Sequence, residues 1–159
     1  MYQGIAHRTA YLLTGSSAEA EEAAQTAFVK AWSALPRFRA GAPFKPWLLR
    51  IVANEAHNRR RQLGRRAAIE LRATAADPPA ETTSPEGTAI GRERRAELLA
   101  ALAGLDERDR DVLTCRYFLE LSEEETAAVL GIRRGTVKSR TARALVRLRA
   151  AVGEETGRE

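Results

Sequence analysis

The segment LGIRRGTVKSR, residues 130–140, combines two glycines, four basic side chains and two hydroxyl side chains within eleven residues. Arg and Lys donate to O6 and N7 of guanine, and Ser and Thr hydroxyls reach base edges or phosphates. None of these side chains is paired with a general base or a metal-binding group. The chemistry that this segment offers is therefore recognition of nucleic acid.

The residues around this segment have the pattern of a helix-turn-helix. Ser122 and Glu125 form a predicted capping box that opens one helix, and Gly131 supplies the positive φ that ends it. At about 100° per residue, the next helix directs one apolar face inward, starting at Val137. Its other face is predicted to carry the DNA contacts: Arg134, Thr136, Lys138, Ser139, Arg140 and Arg143.

The alternative for this face is an ordinary helical hairpin with a solvated surface. Seven basic residues and no acidic residue lie between Arg133 and Arg149. Because solvated helices usually mix the two signs of charge, this run favours a polyanionic partner.

A second set of residues, GAPFKPWLLRIVANEAHNRRRQ, interleaves aromatic side chains with cations and amides. Bases of single-stranded nucleic acid stack on rings while phosphates bind arginines. For Trp47 alone, packing in a hydrophobic core remains the competing interpretation. The combination of a duplex-reading half and a strand-stacking half indicates a protein that binds DNA while it is being opened.

The composition narrows the remaining possibilities. The 159 residues carry a formal net charge of +5, and Cys115 is the single cysteine, so neither an internal disulfide nor a Cys-based metal site is expected. Neither a carboxylate cluster for two metals nor a nucleophile beside a base is evident. We therefore predict no enzymatic activity, metal or cofactor. Lacking a signal-peptide pattern and any apolar run of membrane-spanning length, the chain is expected to be cytoplasmic.

The elements that position these residues are predicted to be helices throughout. Apolar residues recur with helical spacing, and the predicted helices cover about residues 5–13, 20–35, 44–63, 92–105, 106–119, 122–131 and 134–152. Between them, residues 73–91 contain three prolines and few large apolar residues, which is typical of a flexible linker. The prediction is an all-α chain with domains at 1–72 and 92–153 and a tail at 154–159.

With these motifs in order, the chain resembles the extracytoplasmic-function sigma factors of bacterial RNA polymerase. AYLLTGSSAEAEEAAQTAFVKAWSALPRF resembles the part of sigma region 2 that binds core polymerase, and FKPWLLRIVANEAHNRRR resembles its −10 element part. LDERDRDVLTCRYFLELSEEETAAVLGIRRGTVKSRTARALVRLR resembles sigma region 4, which reads the −35 element.

The resemblance implies roles for individual residues. Docking on the β′ clamp helices would involve Glu22, Gln25, Phe28 and Trp32. The loop from Phe38 to Phe44 would hold a flipped −10 base, and the contacts to this strand would come from Arg37, Phe38, Arg39, Phe44, Trp47, Arg50, Asn54 and Asn58. In the second half, Lys138, Ser139 and Arg143 match base-reading positions, and Arg140 matches a phosphate contact.

The implied partners are promoter DNA, core polymerase through its β′ clamp helices and β flap, and an anti-sigma factor. Two features depart from the family pattern. The first helix is short, and Glu22-Ala23-Ala24 stands where the family commonly has Asp and two larger aliphatic residues, which bears on the affinity for polymerase. The alternatives are a helix-turn-helix regulator that acts without polymerase and an enzyme that acts on nucleic acid.

Overall fold

A computed structural model of the chain describes residues 1–70 and 89–156, and side chains within 1–66 and 90–153. These residues form α-helices with short 3-10 and π-helical segments, and no strand lies among them. The chain divides into two compact units, Met1–Thr83 and Ser84–Glu159. The predicted all-α, two-domain fold is confirmed.

Three helices build the first unit: α1 (Gln3–Thr14), α2 (Ser17–Ala34) and α3 (Phe44–Glu70). Gly15 ends α1 at φ 74°, a left-handed conformation that suits glycine, and its N–H donates to the carbonyl of Tyr11. Ser16 caps α2 by accepting a hydrogen bond from the backbone N–H of Glu19. Local signals therefore fix the boundary between α1 and α2.

The core of this unit consists largely of alanine. Its buried cluster contains Ala6, Ala10, Ala20, Ala23, Ala24, Ala27, Ala31, Leu48 and Val52. Small side chains let the helix backbones approach closely, and all three helices pack against one another. Because each alanine buries little apolar area, polar contacts between helices gain in importance.

Such polar contacts join α2 to α3 and α3 to α1. Lys30 of α2 pairs with Glu55 of α3, whose side chain is 11% exposed. Arg60 of α3 donates from Nη1 to the carbonyl of Leu13 at 3.3 Å, which satisfies a free acceptor at the end of α1.

The second unit contains α4 (Ala89–Gly104), α5 (Glu107–Leu113), α6 (Glu123–Leu130) and α7 (Arg134–Thr156). The first three all pack against α7. Leu102, Val112, Leu113, Val137 and Ala144 form the buried centre of the unit. The long C-terminal helix is thus the support on which the others rest.

Several predicted boundaries differ from the structure. The sequence predicts that α3 ends near residue 63, but the helix continues to Glu70. The helix expected over 106–119 is α5 followed by a π-helical segment at Thr114–Phe118. Most of the predicted linker, residues 73–88, lies outside the described residues, whereas α4 starts at Ala89 and so includes the last three linker positions.

The predicted tail overlaps α7 through Thr156. In the parts of the chain that the structure covers, none of the helices combines the length and apolar character needed to cross a membrane.

Candidate nucleic-acid interface

The helix-turn-helix forms as its local signals predict. Ser122 Oγ accepts from the N–H of Glu125, and the Glu125 carboxylate accepts from the N–H of Ser122 at 2.8 Å, which completes the capping box. Gly131 ends α6 at φ 65°. Val137 and Ala144 are fully buried and hold α7 against the unit's core. The opposite face of α7 therefore points outward.

The predicted DNA contacts on α7 divide by exposure. Lys138, Ser139 and Arg143 are exposed, whereas Thr136 and Arg140 are half buried. The Ser139 hydroxyl donates to the carbonyl of Thr136 at 3.3 Å, so its lone pairs remain able to accept from a base or from another donor. The exposed residues form a small donor surface of the kind that enters a major groove.

Arg134, also predicted as a DNA contact, is engaged within the protein. Its guanidinium pairs with Glu123 at 3.1 Å and Glu124 at 3.3 Å, both in the first turn of α6. Arg134 therefore ties the start of α7 to the start of α6. A DNA contact from this side chain would have to compete with two carboxylates.

Arg147 has a comparable structural contact. It pairs with Asp109 of α5, whose side chain is 5% exposed. The hydrogen bond and the charge of Asp109 raise the pKa of Arg147 above its usual value. The pair fixes the orientation of α7 relative to α5, and with it the direction of the exposed face.

Around the start of α3 the structure gathers the predicted aromatic side chains. Phe38 and Phe44 lie 4.8 Å and 5.4 Å from Trp47 between ring centroids, and the two Phe rings meet edge to face at 5.7 Å. Tyr2 joins them, 5.1 Å from Phe44. The cluster is half buried, so the rings support one another and keep part of their surface open.

Tyr2 is not among the predicted contacts, because its position next to the N-terminus belongs to no periodic pattern. The loop that carries the cluster turns at Gly41, with φ 85°, while the Ala42 N–H donates to the carbonyl of Arg39. Arg37 and Arg39 flank Phe38 in the sequence, and their side chains are exposed. This arrangement provides stacking surfaces next to cations.

The remaining predicted strand contacts lie along α3. At about 100° per residue, Trp47, Arg50, Asn54 and Asn58 fall on one side of the helix. The last three are exposed, and the buried residues Leu48, Val52 and Ala56 lie on the other side. The helix thus presents a continuous polar path that begins at the aromatic cluster.

The surface of α2 is the third predicted contact region. Trp32 is 78% exposed, and Glu22 and Gln25 are exposed, but Phe28 packs against the alanine core. Val29, 67% exposed, occupies the position between Gln25 and Trp32 on the same side of the helix. Its spacing could have revealed it, since residues 25, 29 and 32 follow one helical stripe.

An open cavity of about 540 Å³ adjoins this stripe between α1 and α2, and Phe28 and Gln25 line it. An exposed tryptophan beside an exposed valine on a single helix is typical of a protein-binding surface.

Comparison with known proteins decides the family. The sequence pattern of "Sigma-70 region 2" matches residues 1–66, and that of "Sigma-70, region 4" matches residues 101–150. The ECF RNA polymerase sigma-E factor of Escherichia coli K12 is 34% identical over 147 residues, which cover 87% of this chain and 77% of that protein. The chain belongs to the ECF sigma factors.

Other relatives agree with this assignment. The RNA polymerase sigma-H factor of Pseudomonas aeruginosa is 37% identical over 134 residues, covering 79% of this chain and 69% of that protein. SigE of Mycolicibacterium smegmatis, an ECF sigma factor, is 34% identical, and the match covers 90% of this chain and 55% of SigE.

Solved structures show the same fold. The sigma factor RpoE of Bartonella quintana, in complex with the anti-sigma factor NepR, aligns with a TM-score of 0.76 over 95% of this chain and 91% of that one, at 24% identity. CnrH, in complex with the cytosolic domain of CnrY, aligns with a TM-score of 0.69 at 26% identity, over 95% of this chain and 82% of that one.

A sigma factor of this family acts with core RNA polymerase in promoter-directed initiation of transcription. Matches to both sigma regions favour this function over the alternative of a helix-turn-helix regulator that works without polymerase. Sigma factors are in general DNA-recognition subunits rather than catalysts.

Proposed function

We propose that this ECF sigma factor directs core RNA polymerase by reading a −35 element as duplex with α7 and a −10 element as an opened strand with the first unit. The observation that carries the proposal is the pairing, within one chain, of an acid-free helix-turn-helix face and an aromatic and amide face on α3. A duplex reader alone would have no use for the second face.

In the second unit, we assign base reading to Lys138, Ser139 and Arg143, whose side chains are exposed. Arg140 and Thr136, half buried at the edge of the face, suit contacts to the backbone. Arg134 takes a secondary role, since its guanidinium already pairs with Glu123 and Glu124.

In the first unit, we assign the aromatic cluster and the loop 38–44 to a −10 base that is extracted from the duplex. Extraction costs a few kcal/mol, which stacking and a fitted pocket offset. Arg37 and Arg39 would bind the adjacent phosphates. Arg50, Asn54 and Asn58 would then guide the unpaired strand along α3.

For polymerase we assign the α2 surface formed by Glu22, Gln25, Val29 and Trp32. Here Val29 is added to the residues that the sequence predicted, and Phe28 acts from beneath, between the core and the cavity. The apolar side chains suit burial against the β′ clamp helices. The second unit would meet the β flap.

An anti-sigma factor is proposed as a further partner, because exposed Val29 and Trp32 form a surface that such a protein would cover. Since the chain would work on polymerase and the chromosome, we place it in the cytoplasm. We assign it no catalytic activity, metal or cofactor.

The test compares a duplex promoter with one that carries a pre-melted bubble, using core polymerase and the variant Trp47→Ala/Asn54→Ala. We expect a large loss of transcription on the duplex and partial recovery on the bubble, because both side chains act on the unpaired strand. Trp32→Ala is the matched control: it removes the same kind of side chain from α2 and should lower assembly with core polymerase on both templates.

If Trp47→Ala/Asn54→Ala loses transcription equally on the duplex and on the bubble template, the two side chains could still bind the unpaired strand, but a role in melting the duplex would be excluded. Normal activity of Trp47→Ala/Asn54→Ala on both templates would contradict the assignment of α3.

A further inference from the structure

Lysine is rare among the basic residues of this chain. Of the 26 Lys and Arg residues, Lys30, Lys45 and Lys138 are the three lysines. An arginine guanidinium stays protonated and does not react with acyl donors, whereas a lysine ammonium loses its proton more readily and is the usual target of acetylation. Acylation of the basic side chains is therefore confined to three positions.

Two of these lysines are poorly placed for acylation. Lys30 pairs with the carboxylate of Glu55, whose side chain is 11% exposed. Acylation of Lys30 would remove its charge and leave that carboxylate without its partner, which costs free energy. Lys45 is half buried in the first turn of α3, directly after Phe44. The surroundings of each amine thus oppose the reaction.

Lys138 has different surroundings. Its side chain is exposed on α7, and no carboxylate in the described parts of the chain forms an ion pair with it. No acidic residue lies between positions 133 and 149. On α6, Glu123 and Glu124 already pair with Arg134. Because cations dominate this face, it attracts small anions as well as DNA.

We propose that Lys138 is an acylation site, and that its acylation by an acyl phosphate prevents reading of the −35 element. The uncharged Nζ attacks the carbonyl carbon of the donor, and a C–N bond forms. The C–O bond to phosphate breaks, inorganic phosphate leaves with that electron pair, and the proton lost by Nζ passes to solvent. Since acyl phosphates are anions, the acid-free face of α7 concentrates the donor at Lys138.

The consequence for DNA binding rests on the proposed function, which assigns base reading to Lys138. The product is a neutral amide with one N–H, so it cannot bind a phosphate as a cation or donate two hydrogen bonds to a guanine. Arg140 and Arg143 do not react and remain on the face. Because the side chain of Lys138 is exposed, its acylation leaves the core of the unit intact.

The first experiment treats the full chain with acetyl phosphate and measures the acetylation rate of each lysine by peptide mass spectrometry. We expect Lys138 to react on the order of tenfold faster than Lys30 or Lys45, because a basic surface raises the local concentration of an anion by at least that factor. Added salt should reduce this preference, since screening weakens the attraction. In the urea-unfolded chain the three rates should become similar.

The second experiment removes the reagent, adds core polymerase and measures binding of the holoenzyme to a promoter duplex. Treated wild type should lose affinity about tenfold, which is the discrimination that one good base contact provides. Untreated Lys138→Gln should show the same loss, because glutamine also ends in a neutral amide. Lys138→Arg should bind equally before and after treatment. Lys30→Arg/Lys45→Arg, whose only remaining lysine is Lys138, should respond to treatment as wild type does.

Equal acetylation rates of the three lysines in the folded chain would overturn the proposed site. A loss in treated Lys138→Arg as large as in wild type would overturn the proposal, because another position would then cause it. Unchanged binding by wild type that carries acetylated Lys138 would overturn the effect on −35 reading. Untreated wild-type holoenzyme that fails to bind the promoter would contradict the proposed function, whereas the acetylation rates need no DNA and test the site by themselves.

Discussion

Single side chains on α7 differ in how freely they can meet DNA. Arg143 is exposed on the acid-free face, and Arg140 is half buried at its edge. Arg134 and Arg147 are held by carboxylates of the protein. Charge alone does not distinguish these arginines in the sequence, whereas their contacts separate Arg134 and Arg147 from the two arginines that we propose to bind DNA.

Replacing Arg143 with alanine should relax sequence preference at the −35 element. The expected cost is about 1–3 kcal/mol on the preferred sequence if Arg143 contacts a guanine through two hydrogen bonds. Holoenzyme binding to a panel of −35 variants measures the effect. Arg140→Ala is the paired variant, and it should weaken binding to all sequences about equally and flatten the salt dependence.

A sequence-selective loss in Arg140→Ala would reverse these two assignments. Unchanged selectivity in Arg143→Ala would show that this face does not read bases.

Cys115 gives a second prediction at the scale of one residue. The thiol is buried, and this burial, with a smaller contribution from the charge of Asp111, raises its pKa from 9.0 to about 12. The thiolate is the reactive form. Iodoacetamide near pH 8.5 should therefore modify the folded chain at least about tenfold more slowly than the urea-unfolded chain.

The pKa of Cys115 also predicts a pH dependence of stability. Well below pH 9 the thiol is protonated in both the folded and the unfolded state, so its contribution to the free energy of unfolding is constant. Between pH 9 and about 12 only the unfolded state releases this proton, and the free energy of unfolding should decrease. Cys115→Ser, measured in parallel, should lack this decrease. Equal alkylation rates in the folded and unfolded chain would contradict the buried position.

Among the elements, the turn before the helix-turn-helix holds the one non-glycine residue with positive φ in the described parts of the chain. Glu120 has φ 52° and follows the π-helical segment. The Arg116 guanidinium donates to the carbonyl of Leu121 across this turn. The left-handed conformation costs an ordinary residue about 1–2 kcal/mol, and glycine adopts it freely.

Glu120→Gly should therefore raise the free energy of unfolding by up to about 1 kcal/mol, after the larger chain entropy of glycine in the unfolded state is subtracted. Urea denaturation followed by circular dichroism measures the change. Ala128→Gly, at an exposed position inside α6, is the control and should lower stability by about 1 kcal/mol. Destabilisation by both variants would mean that the side chain of Glu120 stabilises the turn.

The helix ends show how much of the fold could be predicted from the sequence. Gly15, Gly131 and the Ser122–Glu125 capping box act within a few residues, so their helix ends were predictable. The end of α3 was not, because the helix runs past residue 63 and Gly64 to Glu70. Nor could spacing show that Arg59 and Arg60, within this helix, have partners on α2 and α1 that lie far away in sequence.

In the candidate site, too, local features could be predicted from the sequence and contacts between elements could not. Helical spacing placed Asn54, Asn58 and Arg143 on outward faces, since a face depends only on period. Spacing could not show that Tyr2 joins the aromatic cluster or that Arg134 is paired with two carboxylates. Such facts depend on which elements meet.

At the scale of the whole molecule, two small units carry different chemistry on one chain. The first combines the exposed side chains of Val29 and Trp32 on α2 with the aromatic and polar face of α3, and the second carries the acid-free face of α7. Neither unit alone accounts for both kinds of surface. We therefore expect the two units to act together with core polymerase to select promoters.

The most direct test is run-off transcription from a library with randomised −35 and −10 elements, using core RNA polymerase with and without this chain. We predict transcripts only when both are present, and enrichment of two separate elements among the templates used. Arg143→Ala should reduce the enrichment of the −35 element among the transcribed templates. Trp47→Ala/Asn54→Ala should reduce the amount of transcript from all duplex templates. Transcripts that show no enrichment of either element would contradict this expectation. So would high-affinity, sequence-selective binding of promoter duplex by the chain in the absence of polymerase.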